Sequence, residues 1–206
     1  MKTKHNYNEE QLLDQLKSYK LLAEMEPNNK WALLTGTLLM RKIDSYKFHD
    51  NILENLNSLL KVDPLRFNYY DDLRSTYIVE HKLHELLEGE KDVEMKSKID
   101  LSGLGLTTLS NNENLGFCTE VNLGANSLAL SLHQLSLLQI CEKLSLSSND
   151  LDNLKNFPTL PSLRVLSLRN NKLCNLDEIL ELLKRHQLVM LDLRQNPVCE
   201  TEAVHA

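Results

Sequence analysis

The sequence has no stretch approaching the ~18 consecutive apolar residues of a membrane-crossing helix, so no membrane span is expected. Its start, Met1-Lys2-Thr3-Lys4-His5, leads into polar residues instead of the apolar core of an export signal, and the expected location is cytoplasmic. Runs of Lys or Arg are missing too. With a net charge of -6 the chain lacks the basic face that neutralises phosphates, which argues against nucleic acid as a partner. Only 4 cysteines occur, none in CxxC spacing, and in a reducing compartment Cys118, Cys141, Cys174 and Cys199 are expected as free thiols. The 6 glycines and 5 prolines are too few for a collagen-like or low-complexity chain. No Ser-His-Asp set, glycine-rich phosphate loop or paired-carboxylate arrangement can be placed, so neither a catalytic residue nor a cofactor is expected in this chain.

What the sequence has in excess is leucine. It supplies 46 of the 206 residues, far above ordinary usage, and this points to a leucine-paced repeat. The other bulky residues are distributed unevenly: nine of the eleven aromatics precede residue 80, while most leucines beyond residue 100 fall into fixed registers. The composition changes across Glu88-Gly89-Glu90-Lys91-Asp92, a charged stretch with a glycine suited to ending a helix. Two domains are expected, residues 1–88 and 94–206.

The first reads as four helices. Asn8 is placed to cap a helix striped by Leu12, Leu13, Leu16, Tyr19 and Ala23, which Pro27 ends. Asn28 is placed to cap a second, reaching about Ile43, with Trp31, Leu34, Leu38 and Leu39 at three-to-four spacing. A third spans about residues 50–62 and buries Ile52, Leu53, Leu56, Leu59 and Leu60. Asp63-Pro64, a cap followed by proline at the first helical position, opens a fourth that reaches about Leu87, with Tyr70, Leu73 and Tyr77 on its apolar face. Pro27 and Pro64 lie 37 residues apart, each preceded by an acid and followed by an aromatic within four residues, as in a helical-hairpin repeat.

The second half aligns on L-x-L-x-x-N-x-L. Its five units begin at Ile99, Val121, Leu144, Leu166 and Leu191, at intervals of 22, 23, 22 and 25 residues. The fold class expected is helical hairpins followed by an α/β leucine-rich-repeat solenoid of five units with a parallel sheet, starting near Glu94. Asn126, Asn149, Asn171 and Asn196 form the structural ladder, each bonding backbone groups of a neighbouring turn; the first unit carries Leu104 there, as an end repeat with one neighbour tolerates.

Candidate sites are few. His81 and His84 sit one helical turn apart, with Glu80 and Glu85 beside them, but lack a third ligand at diagnostic spacing; the plainer reading is the end of an amphipathic helix. Cys118 and Cys141 share one repeat register and Cys174 and Cys199 another, as a crosslinking pair or as small core residues. The outward strand positions read Asp100, Asn122, Ser145, Ser167 and Asp192, then Ser102, Gly124, Ser147, Arg169 and Arg194 two residues on. Arg169, Asp192 and Arg194 make the charged cluster of this concave face, either a docking spot for an acidic partner or a solvated surface.

Glu26-Pro-Asn-Asn-Lys-Trp-Ala-Leu-Leu-Thr35, then Leu60-Lys-Val-Asp-Pro-Leu-Arg66 and Tyr70-Asp-Asp-Leu-Arg-Ser75, followed at once by five leucine-rich units, resembles the carboxy-terminal part of the alpha subunits of Rab geranylgeranyltransferases. The resemblance covers about residues 8–200, and the order of the elements carries it, since leucine-rich repeats alone are common. The helical half would then be hairpins of the prenyltransferase alpha-repeat type. The family implies a noncatalytic alpha subunit wrapped around a separate beta subunit that holds the zinc and the lipid pocket. The complex transfers geranylgeranyl groups from the diphosphate to carboxy-terminal cysteines of Rab GTPases presented by a Rab escort protein. Trp31, Tyr69, Tyr70 and Arg74 become candidate partner contacts, Trp31 and Tyr70 with core as the alternative. Most of the family's upstream helical repeats are absent, which implies a fragment or a short form. The other reading is a stand-alone leucine-rich-repeat adaptor with no role in prenylation.

Overall fold

The structure, a computed structural model, describes residues 9–89, 97–109 and 113–200. The proposed cap Asn8 and the solenoid start near Glu94 lie outside the described residues. Four helices come first: α1 (Glu9–Met25), α2 (Lys30–Asp44), α3 (His49–Val62) and α4 (Phe67–Gly89). Five short strands follow, β1 (Lys98–Asp100), β2 (Glu120–Asn122), β3 (Lys143–Ser145), β4 (Val165–Ser167) and β5 (Met190–Asp192), with a fifth helix, α5 (Leu176–Arg185), between the last two. The chain forms two compact units, Met1–Arg74 and Ser75–Ala206, dividing inside α4 and upstream of the compositional change at Glu88–Asp92.

In the first unit α2 packs against both α1 and α3. Its cap is Asn29, one residue later than the sequence reading placed it: the Asn29 Oδ1 accepts from the N–H groups of Trp31 and Ala32, both at 3.1 Å. Asn28 and Asn29 are equally suited chemically, and the second wins because its backbone is extended while the helix begins at Lys30. The buried face of α2 is Ala32, Leu33, Gly36, Thr37, Leu39 and Met40. Trp31 and Leu38, expected in the apolar stripe, are 63% and 47% exposed. Gly36 explains the shift of face, since a Cβ there would stand 3.9 Å from both Tyr19 of α1 and Asn55 of α3, so the helices approach over the side that is small rather than the side that is most apolar. On α3 the stripe Ile52, Leu56 and Leu59 is fully buried. Asp63 does not cap with its side chain: Pro64–Arg66 forms a 3-10 turn into α4, and the buried carboxylate instead accepts from Lys30 Nζ at 3.2 Å and Tyr70 OH at 3.4 Å.

In the second unit the five strands form one parallel sheet in chain order, β1 to β5. The paired positions run Ile99, Val121, Leu144, Leu166, Leu191, the first leucine-type residue of each unit. Side chains alternate along a strand, so these residues enter the core while their neighbours face out. In every turn the position just before the ladder residue takes a left-handed backbone, Gly103 (φ 68°), Ala125 (54°), Ser148 (56°), Asn170 (53°) and Gln195 (60°), and in two turns the position just after it does so as well, Gly105 (63°) and Asp150 (57°). The 25-residue interval between β4 and β5 accommodates α5, whose cap Asn175 accepts from Asp177 N–H at 3.0 Å and whose inner face is Ile179 and Leu182.

Candidate functional site

The outward face of the sheet presents three rows of side chains. Two of them were read from the sequence as above. The third, Lys98, Glu120, Lys143, Val165 and Met190, follows from the same two-residue alternation and was missed because only positions after the first inward residue were counted. Glu120 Oε1 bridges Lys98 Nζ at 3.3 Å and Lys143 Nζ at 2.7 Å, and the hydrogen bond from Lys143 holds its carboxyl below the ordinary range. The row then turns apolar, with Met190 60% exposed beside Val189 at 83%. A groove of about 400 Å³ lies over β1 to β4 between this row and the Asn122–Ser167 row. Ser147 Oγ lies 2.8 Å from Ser167 Oγ and 3.3 Å from Ser145 Oγ, and two hydrogen bonds from Ser102 depress the Asp100 carboxyl.

Arg194 and Asp192 meet directly. Arg194 donates from Nε to Oδ1 at 2.8 Å and from Nη2 to Oδ2 at 2.6 Å, a bidentate pair that pulls the Asp192 carboxyl down to about 2. Arg169 points to a different partner, donating from Nε to Gln195 Oε1 at 2.9 Å, and adds only weakly to the field on Asp192. The cluster therefore carries one positive charge in excess, and Arg194 is already matched by Asp192, two residues before it in the same turn.

Beneath the face runs the asparagine ladder. Asn126 accepts from Leu106 N–H at 2.9 Å and donates to the Leu101 and Leu123 carbonyls, both at 2.9 Å. Asn149 accepts from Leu128 N–H at 3.2 Å and donates to Leu123 O at 2.9 Å. Asn171 accepts from Leu151 N–H at 3.0 Å and donates to Leu146 and Leu168. Asn196 accepts from Leu173 N–H at 3.1 Å and donates to Leu168 and Leu193. All four are buried, and each ties its own turn to a neighbour.

The aromatic candidates of the helical unit separate. Trp31 and Tyr69 are 63% and 55% exposed and available to a partner. Tyr70 is not: it is 1% exposed, edge-on to Tyr69 with ring centroids 5.4 Å apart, and its hydroxyl serves Asp63. Its place on the buried face of α4 removes it from the contact candidates. Arg74 is half-buried and donates from Nε to Asn57 Oδ1 at 2.9 Å. His81 is buried with Nδ1 3.5 Å from Glu85 Oε1 and its ring edge-on to Tyr77, and among the described residues no three His, Cys, Asp or Glu side chains converge as a metal site. Cys118 and Cys141 are buried, which pushes their thiols up to about 11 and about 12, while Cys174 and Cys199 are exposed. Among the described residues no helix is long and apolar enough to cross a membrane.

No family model matches the chain. The geranylgeranyl transferase type-2 subunit alpha of Mus musculus is 37% identical to it over 193 residues, 94% of this chain and 33% of the relative. Over its length this chain is homologous to that alpha subunit. The subunits of Rattus norvegicus and Homo sapiens are each 35% identical over the same 193 residues and the same shares. The chain thus spans about a third of the length of the geranylgeranyl transferase type-2 alpha subunits it matches. Among solved structures, internalin C2 of Listeria monocytogenes superposes with a TM-score of 0.40 at 18% identity, covering 58% of this chain and 64% of that one.

Proposed function

We propose that this chain is the noncatalytic alpha subunit, or the carboxy-terminal portion of one, of a cytoplasmic Rab geranylgeranyltransferase. The complex moves a geranylgeranyl group from its diphosphate to the carboxy-terminal cysteines of Rab GTPases. The single observation that carries this reading is the 37% identity to a geranylgeranyl transferase type-2 alpha subunit over 94% of the chain. Its two units suit the role: the helical one is read as prenyltransferase-type antiparallel hairpins, the other as leucine-rich repeats. In this reading Trp31, Tyr69 and Arg74 contact the catalytic beta subunit or the Rab escort protein. The outward sheet face with Arg169, Asp192 and Arg194 adds a second docking surface. Zinc and the lipid pocket belong to beta, and this chain contributes scaffold.

The test is reconstitution. Beta subunit, escort protein, a Rab GTPase and labelled geranylgeranyl diphosphate are mixed with and without this chain, and transfer to the Rab tail is counted. Transfer that requires the chain supports the proposal, and no transfer, or transfer independent of the chain, turns the reading to a stand-alone leucine-rich-repeat adaptor.

A further inference from the structure

The groove over β1 to β4 has one tall side and one low one. Lys98, Glu120, Lys143 and Val165 line the first, and Asn122, Ser145 and Ser167 the second. Crossing four strands at ~4.8 Å spacing, it is about 14 Å long, the span of about four or five extended residues at ~3.3 Å each. Along the low side the Ser147 hydroxyl lies 2.8 Å from that of Ser167 and 3.3 Å from that of Ser145. Each hydroxyl both donates and accepts, as the alternating groups of an extended backbone require. The charges of the face are unequally spent. Its three rows hold four cations, Lys98, Lys143, Arg169 and Arg194, and three acids, Asp100, Glu120 and Asp192, so this face is positive on a chain of net charge -6. Every acid is engaged: Asp192 by two nitrogens of Arg194, Glu120 by two lysines at once, and Asp100 by the Ser102 N–H at 2.9 Å. Arg169 stands two residues beyond Ser167, at the end of the groove, and among the described residues its hydrogen bond goes to the neutral amide of Gln195.

We propose that this groove receives an extended segment of a protein partner carrying an aspartate or glutamate, whose carboxylate pairs with Arg169 while the adjoining backbone crosses Ser167 and Ser145. Charge selects the acid. Arg169 is a cation outside any ion pair, and Asp100, which also lacks one, lies at the opposite end, held by Ser102 and in the field of Lys82. Length selects a segment over a free anion, which fills only the Arg169 end. A folded second copy supplies no such segment among the described residues: its extended stretches with acids, at Asp100, Glu120, Glu142, Asp150, Asp152 and Asp192, are bonded into its own sheet and turns. The inference deepens the reading of this face as a docking surface and rests on it. Reconstituted transfer tests the prenylation role separately, so either can fail alone.

The test uses the full chain and a displayed library of random peptides, selected on the immobilised protein, with the most enriched peptide then synthesised. The expected result is enrichment of sequences with Asp or Glu at one fixed position. The synthesised peptide moves the NMR amide signals of Ser145, Ser167 and Arg169, and its binding weakens with added salt. Arg169→Glu weakens that binding on the order of tenfold or more and turns a repeated selection toward Lys or Arg. Ser145→Tyr, which fills the groove without changing its charge, weakens it as well. The amide signals of the parent chain decide even where a variant unfolds. No enrichment, enrichment without a fixed acid, or signals that move only away from this face overturn the proposal. So does free glutamate that displaces the peptide at equal concentration, the mark of a small-anion site. A chain that dimerises alone on a sizing column and becomes monomeric with Arg169→Glu overturns it too, by making a second copy the occupant.

Discussion

At Asn149 one amide side chain serves two backbone groups of the preceding turn, accepting from Leu128 N–H and donating to Leu123 O with no exposure to water. Truncation leaves the Leu128 N–H buried and unpaired and takes from Leu123 O one of its two donors, the other being Asn126, and Asn149→Ala is expected to cost about 1–3 kcal/mol in urea unfolding. Leu104, half-buried at the same register of the first turn, holds no such pair, and Leu104→Ala is expected to cost less than ~1 kcal/mol. Equal costs would remove the ladder from the account. The cysteines separate by the same logic of burial. At pH 8 thiols near 11 and 12 are ionised at roughly one part in a thousand or less, so Cys118 and Cys141 should resist iodoacetamide until the chain unfolds. Cys174 and Cys199 should react in the native protein, as mass spectrometry of timed samples will read. At this scale the sequence was legible where a pattern repeats, as at the four asparagines. It was opaque where a single side chain chooses a face: Tyr70 and Tyr69 are adjacent and alike in chemistry, and only the packing of α4 buries the first and leaves the second out.

Among the elements, α5 shows how a longer interval is absorbed. His186, just past its end, accepts at Nε2 from Leu160 N–H at 3.0 Å and donates from Nδ1 to Leu182 O at 2.8 Å, with its ring edge-on to Phe157. Those two bonds fix the imidazole with its proton on Nδ1 and fasten the helix to the preceding turn. His186→Ala is expected to cost about 2–4 kcal/mol, one stranded buried N–H plus the lost ring contact, in the same urea measurement. A cost near zero would mean that the inner face of α5 suffices. Nothing in the sequence pattern singles out His186, because its partners are backbone atoms 26 residues and 4 residues away. The strand positions were legible for the opposite reason: inward leucines recur at a fixed interval, and the registers of β1 to β5 follow them. The helix faces were half legible. Ile52, Leu56 and Leu59 show as an apolar stripe, while the inner face of α2 is built partly from Gly36 and Thr37, which hydropathy does not mark.

For the molecule as a whole, the carboxylates of the outward sheet face contribute to its acid behaviour. Asp192, Asp100 and Glu120 are all depressed by hydrogen bonds, so each favours folding in its charged form. That contribution is complete above the ordinary carboxylate range and is lost as pH falls through the folded values, toward about 2 for Asp192. The melting temperature should stay level from about pH 7 to pH 5 and fall below ~4, more shallowly in Asp192→Asn. A fall that begins near pH 6 would place the sensitive groups among the histidines instead. The two-part plan was readable from the placement of aromatics and leucines, whereas the division of compact units within α4 was not, since a continuous helix carries no punctuation at Arg74. The central proposal is that this chain is the alpha subunit of a geranylgeranyl transferase, or the carboxy-terminal portion of one, and co-expression with the catalytic beta subunit of the same organism tests it most directly. The account predicts that the two proteins leave a sizing column together as a one-to-one complex, weakened when Trp31 and Tyr69 are both changed to alanine. Separate elution of two folded proteins would contradict it.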